Sequence, residues 1–217
     1  LNGKNEEIFT QYAQIEAIQN KDKNNNLWYE NILKIKQGDK YGIMNFEGEE
    51  LTICQYDEIV ALEGIQNTLK VKKDGKYGII DIEGKEILPT QYEQITNLGK
   101  DSKEGFIIQN EAGKYGIVDY SNNQVLEAKY DGIEKTHGNN QYVVKQGEKQ
   151  VLVAKDGTEI LKEGYDKIAE ILNLSENGII FVKRNKYGVM KTSGEVAIEA
   201  FYDDLKEAKS GFFLCFS

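Results

Sequence analysis

The stretch that decides the fold is Lys76-Tyr77-Gly78-Ile79-Ile80-Asp81-Ile82-Glu83-Gly84, in which a lysine, a tyrosine, a glycine and an aliphatic residue follow one another. A second glycine stands six positions after the first. The same pattern returns at Lys40-Tyr41-Gly42, Lys114-Tyr115-Gly116 and Lys186-Tyr187-Gly188, while a worn copy, Lys149-Gln150-Val151, has lost both the aromatic residue and the glycine. Because self-similarity at a regular interval indicates a repeat architecture, the chain is predicted to be a tandem array.

A second anchor lies downstream in every copy: a tyrosine followed by an acid and, three positions after the tyrosine, an aliphatic residue. Its copies are Tyr56-Asp57-Glu58-Ile59, Tyr92-Glu93-Gln94-Ile95, Tyr130-Asp131-Gly132-Ile133, Tyr165-Asp166-Lys167-Ile168 and Tyr202-Asp203-Asp204-Leu205, and Tyr12-Ala13-Gln14-Ile15 is a sixth that lacks the acid. Two anchors that stay in step over five copies predict one module laid down about every 36 residues.

The pieces between these anchors have the pattern of short β-strands. Leu69-Lys70-Val71-Lys72 alternates apolar and polar residues, as a half-buried strand does. Lys73-Asp74-Gly75 follows as a hairpin turn. Further strands are expected at 77–82 and 86–88, and a fourth is expected to start at Tyr92. A pair of helices is the alternative for repeats of this length, but turn residues interrupt the chain too often for long helices. The predicted fold is all-β.

The residue six positions after the anchor glycine supports this prediction chemically. It is Gly48, Gly84, Asn122, Gly157 or Gly194. Glycine and asparagine are the residues that best tolerate the left-handed backbone region. We therefore expect a positive φ at all five positions.

The anchors are expected to act as packing devices. A tyrosine buries a large ring, and a glycine lets a neighbouring group approach closely, so each ring is expected to cover the glycine of the next unit. The tyrosine and the aliphatic residue of the second anchor would point to opposite faces of an ideal strand. A bulge or turn around the acid would bring both inward, and the acid would then accept hydrogen bonds from turn amides.

The chain resembles the bacterial WG-repeat, or KWG-repeat, family in its Lys-aromatic-Gly-aliphatic core, its turn glycine and the Tyr-Asp-x-Ile that follows. Tyrosine replaces the usual tryptophan in all four intact copies. The resemblance covers nearly the whole chain and implies a tandem β-repeat with no established general activity.

The repeat positions predict one array over 1–217. The expected pieces are a partial unit at 2–20, full units at 32–62, 69–98, 106–135, 142–172 and 179–208, and the start of a further unit at 211–217. We interpret the chain as a fragment of a longer array. An open, twisted arrangement of antiparallel four-strand units is favoured, and a closed, propeller-like arrangement is the alternative.

The charge of the chain disfavours several partners. The net charge is −9, and only Arg184 is an arginine, so phosphate backbones and anionic membranes are poor partners. No apolar run approaches the roughly 18 residues that a membrane span needs. We therefore expect no nucleic-acid binding and no direct membrane insertion in this segment.

Reactive residues do not form a recognisable catalytic set. His137 is the single histidine, and Cys54 and Cys215 are the only cysteines, expected to be ordinary buried or half-buried thiols. One acid per unit does not gather the six to eight oxygen ligands that calcium takes. We assign no catalytic, cofactor-binding or metal-binding residue and no cofactor. A pair of carboxylates for glycoside hydrolysis stays open as a weaker alternative.

The function predicted from these observations is a non-catalytic scaffold that binds a protein or a glycan within a larger bacterial protein. A purely structural spacer is the main alternative, and a hydrolase is less favoured. Recognition is expected to vary in the loops at 21–26, 97–104 and 132–140. Trp28 and Tyr29 either cover the end of the preceding unit or form a small exposed aromatic patch.

Overall fold

The computed structural model describes residues 12–19, 28–98, 104–135, 141–161, 164–171, 178–191, 193–207 and 213–217. Within these residues the chain forms short antiparallel strands, and none of them lies in an α-helix. The all-β prediction is thereby confirmed. Contacts divide the chain into an N-terminal half, residues 1–124, and a C-terminal half, residues 125–217, which are taken in turn.

The N-terminal half contains two complete four-stranded sheets and the strands of a third. The first sheet is β1 (Gln14–Gln19), β2 (Trp28–Gln37), β3 (Lys40–Asn45) and β4 (Glu50–Tyr56), in that spatial order. The second is β5 (Glu58–Ala61), β6 (Thr68–Lys73), β7 (Lys76–Asp81) and β8 (Glu86–Tyr92). In the third, β10 (Phe106–Gln109) lies between β9 (Gln94–Asn97) and β11 (Tyr115–Val118). Each sheet is thus built from strands that are neighbours in sequence.

The C-terminal half follows the same plan with shorter sheets at two places. After β12 (Gln124–Tyr130) come β13 (Gly132–Lys135), β14 (Gln141–Gln146) and β15 (Lys149–Ala154), which form a three-stranded sheet. The next sheet is β16 (Lys167–Ile171), β17 (Gly178–Lys183), β18 (Lys186–Lys191) and β19 (Val196–Tyr202). The last described pair is β20 (Asp204–Glu207) and β21 (Phe213–Phe216).

The chain passes from one sheet to the next at the acid of the second anchor. Tyr92 ends β8, Gln94 begins β9, and the amide of Glu93 between them donates to the carbonyl of Gln109 at 2.9 Å in the following sheet. Asp57 does the same with Lys72, at 2.7 Å. The expected fourth strand of the repeat is present as β9, which begins two residues after Tyr92 and pairs with β10 of the following sheet. The bend at the acid redirects the chain, so the last strand of one repeat opens the next sheet.

This bend also brings the tyrosine and the aliphatic residue of the second anchor inward, as predicted. Tyr92 is 8% exposed and Ile95 is 1% exposed, although one ends β8 and the other lies in β9. Tyr56 and Ile59 are buried in the same way on either side of Asp57. A side chain on each side of the bend is thus anchored in the core.

The two anchors of a repeat are partners across adjacent strands, which explains why they keep step. Tyr41 lies opposite Tyr56, Tyr77 opposite Tyr92, and Tyr187 opposite Tyr202. In each pair the register shifts directly after this position, at the anchor glycine. A Cβ atom built on Gly42 would lie 2.5 Å from the carbonyl oxygen of Thr52. The glycine therefore admits the backbone of the last strand of its own sheet.

The worn copy shows what happens without this glycine. Val151 is buried where the other copies have glycine, and no strand of the described residues pairs with the outer side of β15. Two isolated bridges, from Gln150 to Tyr165 and from Val153 to Glu159, replace that strand. A Cβ atom on Gly164 would lie 2.7 Å from the Cβ atom of Lys149. The close approach is thus provided by a glycine on the opposite segment.

The turn residue six positions after the anchor glycine has the predicted conformation in every copy. Positive φ values between 61° and 90° occur at Gly48, Gly84, Asn122, Gly157 and Gly194. At Gly84 the turn also approaches the preceding sheet, because an added Cβ atom would lie 2.6 Å from the carbonyl oxygen of Leu51. Glycine therefore meets two requirements at this turn, the backbone conformation and the packing of one sheet on another.

The apolar core lies between successive sheets. One cluster contains Ile43 and Tyr56 of the first sheet together with Leu69 of the second. Another, in the C-terminal half, contains Leu152 of β15 and Phe181 of β17. Since each sheet buries side chains against its neighbour, the sheets of one half stabilise one another.

The two roles of Gly84 can be separated with a matched glycine in the same sheet. Gly75 and Gly84 have φ values of 85° and 83°, but a Cβ atom on Gly75 would meet nothing within 4 Å. We expect Gly75→Ala to lower the free energy of unfolding by about 1 kcal/mol, the cost of the left-handed conformation. Gly84→Ala should cost about 2 kcal/mol or more, because overpacking adds to that cost. Equal losses in urea unfolding would contradict the close packing of this turn on Leu51.

Candidate functional site

A groove of about 360 Å³ opens in the N-terminal half between β5 and β9. These are equivalent strands, since each is the first strand after a bend and pairs on one side with the next strand of its sheet. The groove is lined by Val60, Ala61, Leu62, Glu63, Lys70, Ile95, Thr96 and Asn97. Its volume is at the lower end of the range of ligand sites and suits one or two side chains.

The floor of the groove is aliphatic. Ala61, Leu62 and Ile95 are each 5% exposed or less, so they are fixed by the core beneath them. Val60 is half-buried and lies directly opposite Lys70 in the register of β5 and β6. Opposite residues of paired strands share a face, so Val60 and Lys70 stand side by side along one wall.

Polar groups form the rim. The Nδ2 atom of Asn97 donates to the carbonyl oxygen of Glu63 at 3.2 Å and thereby links β9 to the turn after β5. Gly64, with φ at 81°, leaves room for this amide, since a Cβ atom there would lie 3.1 Å from the same Nδ2 atom. Thr96 and Glu63 are exposed at the mouth. The groove therefore offers a fixed aliphatic floor and an accessible polar edge.

The anchor tyrosines next to this region contact lysines. The ammonium groups of Lys70 and Lys72 lie 5.0 and 5.1 Å from the ring centroid of Tyr77, within the range of cation–π attraction. Lys34 and Lys36 lie 5.0 and 5.3 Å from the ring of Tyr41 in the preceding sheet.

The expectation that each anchor ring covers the next unit's glycine is therefore wrong. The backbone of its own sheet occupies the space beside the anchor glycine. The anchor tyrosines are half-buried, at positions 41, 77, 115 and 187. Of the second-anchor tyrosines, Tyr56, Tyr92, Tyr130 and Tyr165 are buried and Tyr202 is half-buried.

Sequence reasoning missed the role of the anchor lysine. Lys40 donates to Asp57 at 2.5 Å and Lys76 donates to Glu93 at 2.5 Å, and Lys149 and Lys186 donate to Asp166 and Asp203 in the same way. Each acid stands 17 residues after its lysine. The signal was present in the sequence, because the worn copy keeps its lysine while losing the aromatic residue and the glycine.

The expectation that these acids bind turn amides is met at described positions. The amide of Gly147 donates to Oδ2 of Asp131 at 2.6 Å, and the amide of Asn185 donates to Oδ2 of Asp166 at 3.4 Å. Lys76 also donates to Glu111 of the following hairpin, at 2.8 Å. The bend is thus a point where a lysine, an acid and the next hairpin turn meet.

Several carboxyl groups of the described residues have a pKa below the ordinary value, and each of them accepts hydrogen bonds. Hydrogen bonds from lysines or from nearby amides outweigh burial and lower the pKa of Glu16, Asp57, Glu111, Asp119, Asp156 and Asp166. No group of three or more possible metal ligands occurs among the residues that the structure describes. Tyr12 donates to Glu50, and this hydrogen bond raises the pKa of Tyr12 to about 12.

The remaining residues singled out in the sequence are dispersed. Cys54 is half-buried and its thiol donates to the carbonyl of Ile35 at 3.7 Å, whereas Cys215 is exposed, contrary to expectation. Tyr29 is buried, which agrees with a covering role for this residue. His137 and the side chain of Trp28 lie outside the described part of the chain.

Three loops were predicted to vary in recognition, and a described residue of one of them lines the groove. The loop at 97–104 starts at Asn97, which lines the rim, while its positions 99–103 fall outside the described residues. In the loop at 132–140, the first four residues are strand β13 and 136–140 are outside the described part. The loop at 21–26 is likewise not described.

Antiparallel sheets that are joined at a repeated bend define a tandem β-repeat protein. Residues 77–108 and 115–149 match the family model described as the WG containing repeat. Two stretches of the chain are thus similar to the WG repeat and stand in tandem, as the resemblance predicted. The family that these two stretches match is a non-catalytic repeat family. Comparison with curated proteins gave no match. Among the described residues, no helix is long and apolar enough to cross a membrane.

Solved structures with a similar fold are distant in sequence. Apo AztD from Citrobacter koseri is 12% identical, with a TM-score of 0.40 over 78% of this chain and 56% of that chain. A eukaryotic initiation factor is 9% identical, with a TM-score of 0.44 over 82% and 55%. The N-terminal domain of Nup159 is 12% identical, with a TM-score of 0.36 over 88% and 63%. These folds are β-propeller-like, and the chain spans little more than half the length of the first two.

The lysine–acid contacts predict a loss of stability in acid. Hydrogen bonds from Lys40 and Lys149 hold the pKa of Asp57 and Asp166 below their ordinary value of 3.8. A carboxyl with a lowered folded-state pKa stabilises the fold above its ordinary pKa, and this contribution is lost as the pH falls through the folded-state pKa. The melting temperature should therefore decrease as the pH is lowered below about 4.

The double variant Asp57→Asn/Asp166→Asn should show a flatter fall of the melting temperature with pH than the wild type. Glu47→Gln, at an exposed turn position, is the matched control and should keep the wild-type slope. Melting curves between about pH 6 and pH 2 measure the effect. The same slope in the double variant and the wild type would show that these contacts do not contribute.

Proposed function

We propose that the chain is a non-catalytic repeat scaffold that binds a protein partner. The observation that carries this proposal is the groove between β5 and β9, with its rigid aliphatic floor and accessible polar rim. Such a floor suits an aliphatic side chain of a protein better than the hydroxyl-rich surface of a glycan, which hydrogen-bonds along its length. Repeat arrays commonly present extended faces of this kind to partners.

The state of the carboxyl groups supports a non-catalytic role. Hydrolysis of a glycoside needs a carboxylic acid whose pKa is raised, so that it stays protonated and can donate to the leaving group. The pKa shifts of the described carboxyl groups are in the opposite direction. Hydrogen bonds that favour the ionised form suit structural roles at bends and turns.

A structural spacer is the second candidate, and the lysine–acid contact favours it. This contact recurs at four bends in the described residues, with the same 17-residue spacing each time. A module whose repeated polar residues hold neighbouring sheets together can set a length without binding a partner.

Capture experiments distinguish the two candidates. The purified chain is immobilised and exposed to cell extract and, separately, to a panel of polysaccharides. The variant Thr96→Trp adds bulk at the exposed rim, and Gln91→Trp adds the same bulk to an exposed position of β8 that does not line the groove.

A protein partner should be captured by the wild type and by Gln91→Trp, and at least tenfold less by Thr96→Trp. If a polysaccharide is captured and no protein is, the partner is a glycan and the proposal of a protein partner is wrong. Equal capture by all three proteins would contradict binding at the groove, and capture of nothing would favour the spacer. Mass spectrometry of the bound fraction makes the measurement.

A further inference from the structure

We propose that the groove binds an extended acidic segment of the partner, with an aliphatic side chain against Leu62 and Ile95 and a neighbouring carboxylate on Lys70. This inference rests on the proposed function and names the chemistry of the partner. It follows from the aliphatic floor, from Lys70 in the groove lining and from the exposed carboxylate of Glu63 at the rim.

Lys70 and Lys72 differ from the lysines that serve the fold. Lys76 contacts two carboxylates, and Lys34 pairs with Glu16 at 2.9 Å. For Lys70 and Lys72, the contact recorded within the described residues is the ring of Tyr77, and no carboxylate there pairs with either. Glu58 lies opposite Lys72 in the register of β5 and β6, whereas the apolar Val60 lies opposite Lys70. Lys70 therefore offers the groove an ammonium group that no carboxylate of the described residues pairs with.

The ring of Tyr77 holds both ammonium groups in place. Lys70 and Lys72 are half-buried and approach one ring, so part of their side-chain freedom is already lost before a ligand arrives. A preordered cation binds an incoming carboxylate at a lower entropic cost than a freely moving one. Lys70 also lines the groove, so the carboxylate and the aliphatic floor lie within reach of one short segment.

Glu63 gives the groove a direction. Its carboxylate is exposed at the rim, and its carbonyl oxygen is held by Asn97 at 3.2 Å. A second carboxylate at that end of the ligand would be repelled, whereas a neutral or basic residue would be accepted. The net charge of −9 repels an acidic segment from the rest of the surface, which confines it to the site of Lys70 and Lys72.

The test uses short peptides and nuclear magnetic resonance of the full chain. The probe is the acetylated and amidated peptide Gly-Glu-Leu-Gly-Gly, which carries one carboxylate, and the controls replace the glutamate with lysine or the leucine with glycine. Titration should shift the amide signals of Ala61, Leu62, Ile95 and Asn97. The lysine peptide and the glycine peptide should each bind at least fivefold more weakly, and added salt should weaken binding of the probe.

Variants assign the charge to the lysines. Lys70→Gln should weaken binding of the probe about threefold, as expected for one exposed ion pair. Lys36→Gln removes an ammonium group from the ring of Tyr41, away from the groove lining, and should leave binding unchanged. Unchanged signals for β10 and β11, which contain neither lysine, verify in each variant that the fold is kept.

The outcomes separate this inference from the proposed function. If the lysine peptide binds as tightly as the probe, or if the probe shifts amide signals outside the groove, the inference of an acidic ligand at the groove is wrong. A partner captured in a groove-dependent way would in that case still support a protein-binding scaffold. If Lys36→Gln weakens binding as much as Lys70→Gln, the charge acts over the whole face and the site is not the groove.

Discussion

The bend at the acid between two buried side chains is the constraint on which the rest of the structure depends. At Asp57 the backbone amide donates into the following sheet, and the carboxylate accepts from Lys40 of the sheet just left. The chain therefore cannot complete one sheet without starting the next. A backbone hydrogen bond and an ion pair of the side chain act at the same residue, and the arrangement recurs at Glu93, Asp166 and Asp203.

Glycine makes the sheets compact in two different ways. At Gly42 and Gly188 it admits the backbone of the last strand, since an added Cβ atom would lie within 2.6 Å of a carbonyl oxygen. At Gly84 it takes a left-handed turn that rests on the preceding sheet. The worn copy, where Val151 replaces the first kind of glycine, keeps the second kind at Gly157 and replaces a full strand by two bridges. The packing of neighbouring sheets is thus retained where strand pairing is reduced.

Much of the fold could be predicted from local pattern, because turn residues and alternation act locally. The five positive φ values and the inward direction of Tyr92 and Ile95 follow from residue chemistry alone. The residue at which one sheet ends and the next begins could not be predicted in this way. It depends on which distant strand accepts the hydrogen bond from the amide of Glu93. The groove was missed for the same reason, because β5 and β9 are brought together by packing. The one sequence prediction related to the groove was that recognition varies in the loop that starts at Asn97. The choice between an open and a closed arrangement stays a prediction.

The central claim is that neighbouring sheets are stable only together, and native-state hydrogen exchange tests it directly. Ile79, fully buried in the second sheet, lies outside the core cluster that contains Ile43 and Leu69, so Ile79→Ala removes no side chain from the core that the first and second sheets share. The substitution should cost about 2–5 kcal/mol. If the claim is right, the amides of β3 in the first sheet will lose protection together with those of β7. Unchanged protection of β3 would show that the sheets are independent and would contradict the claim.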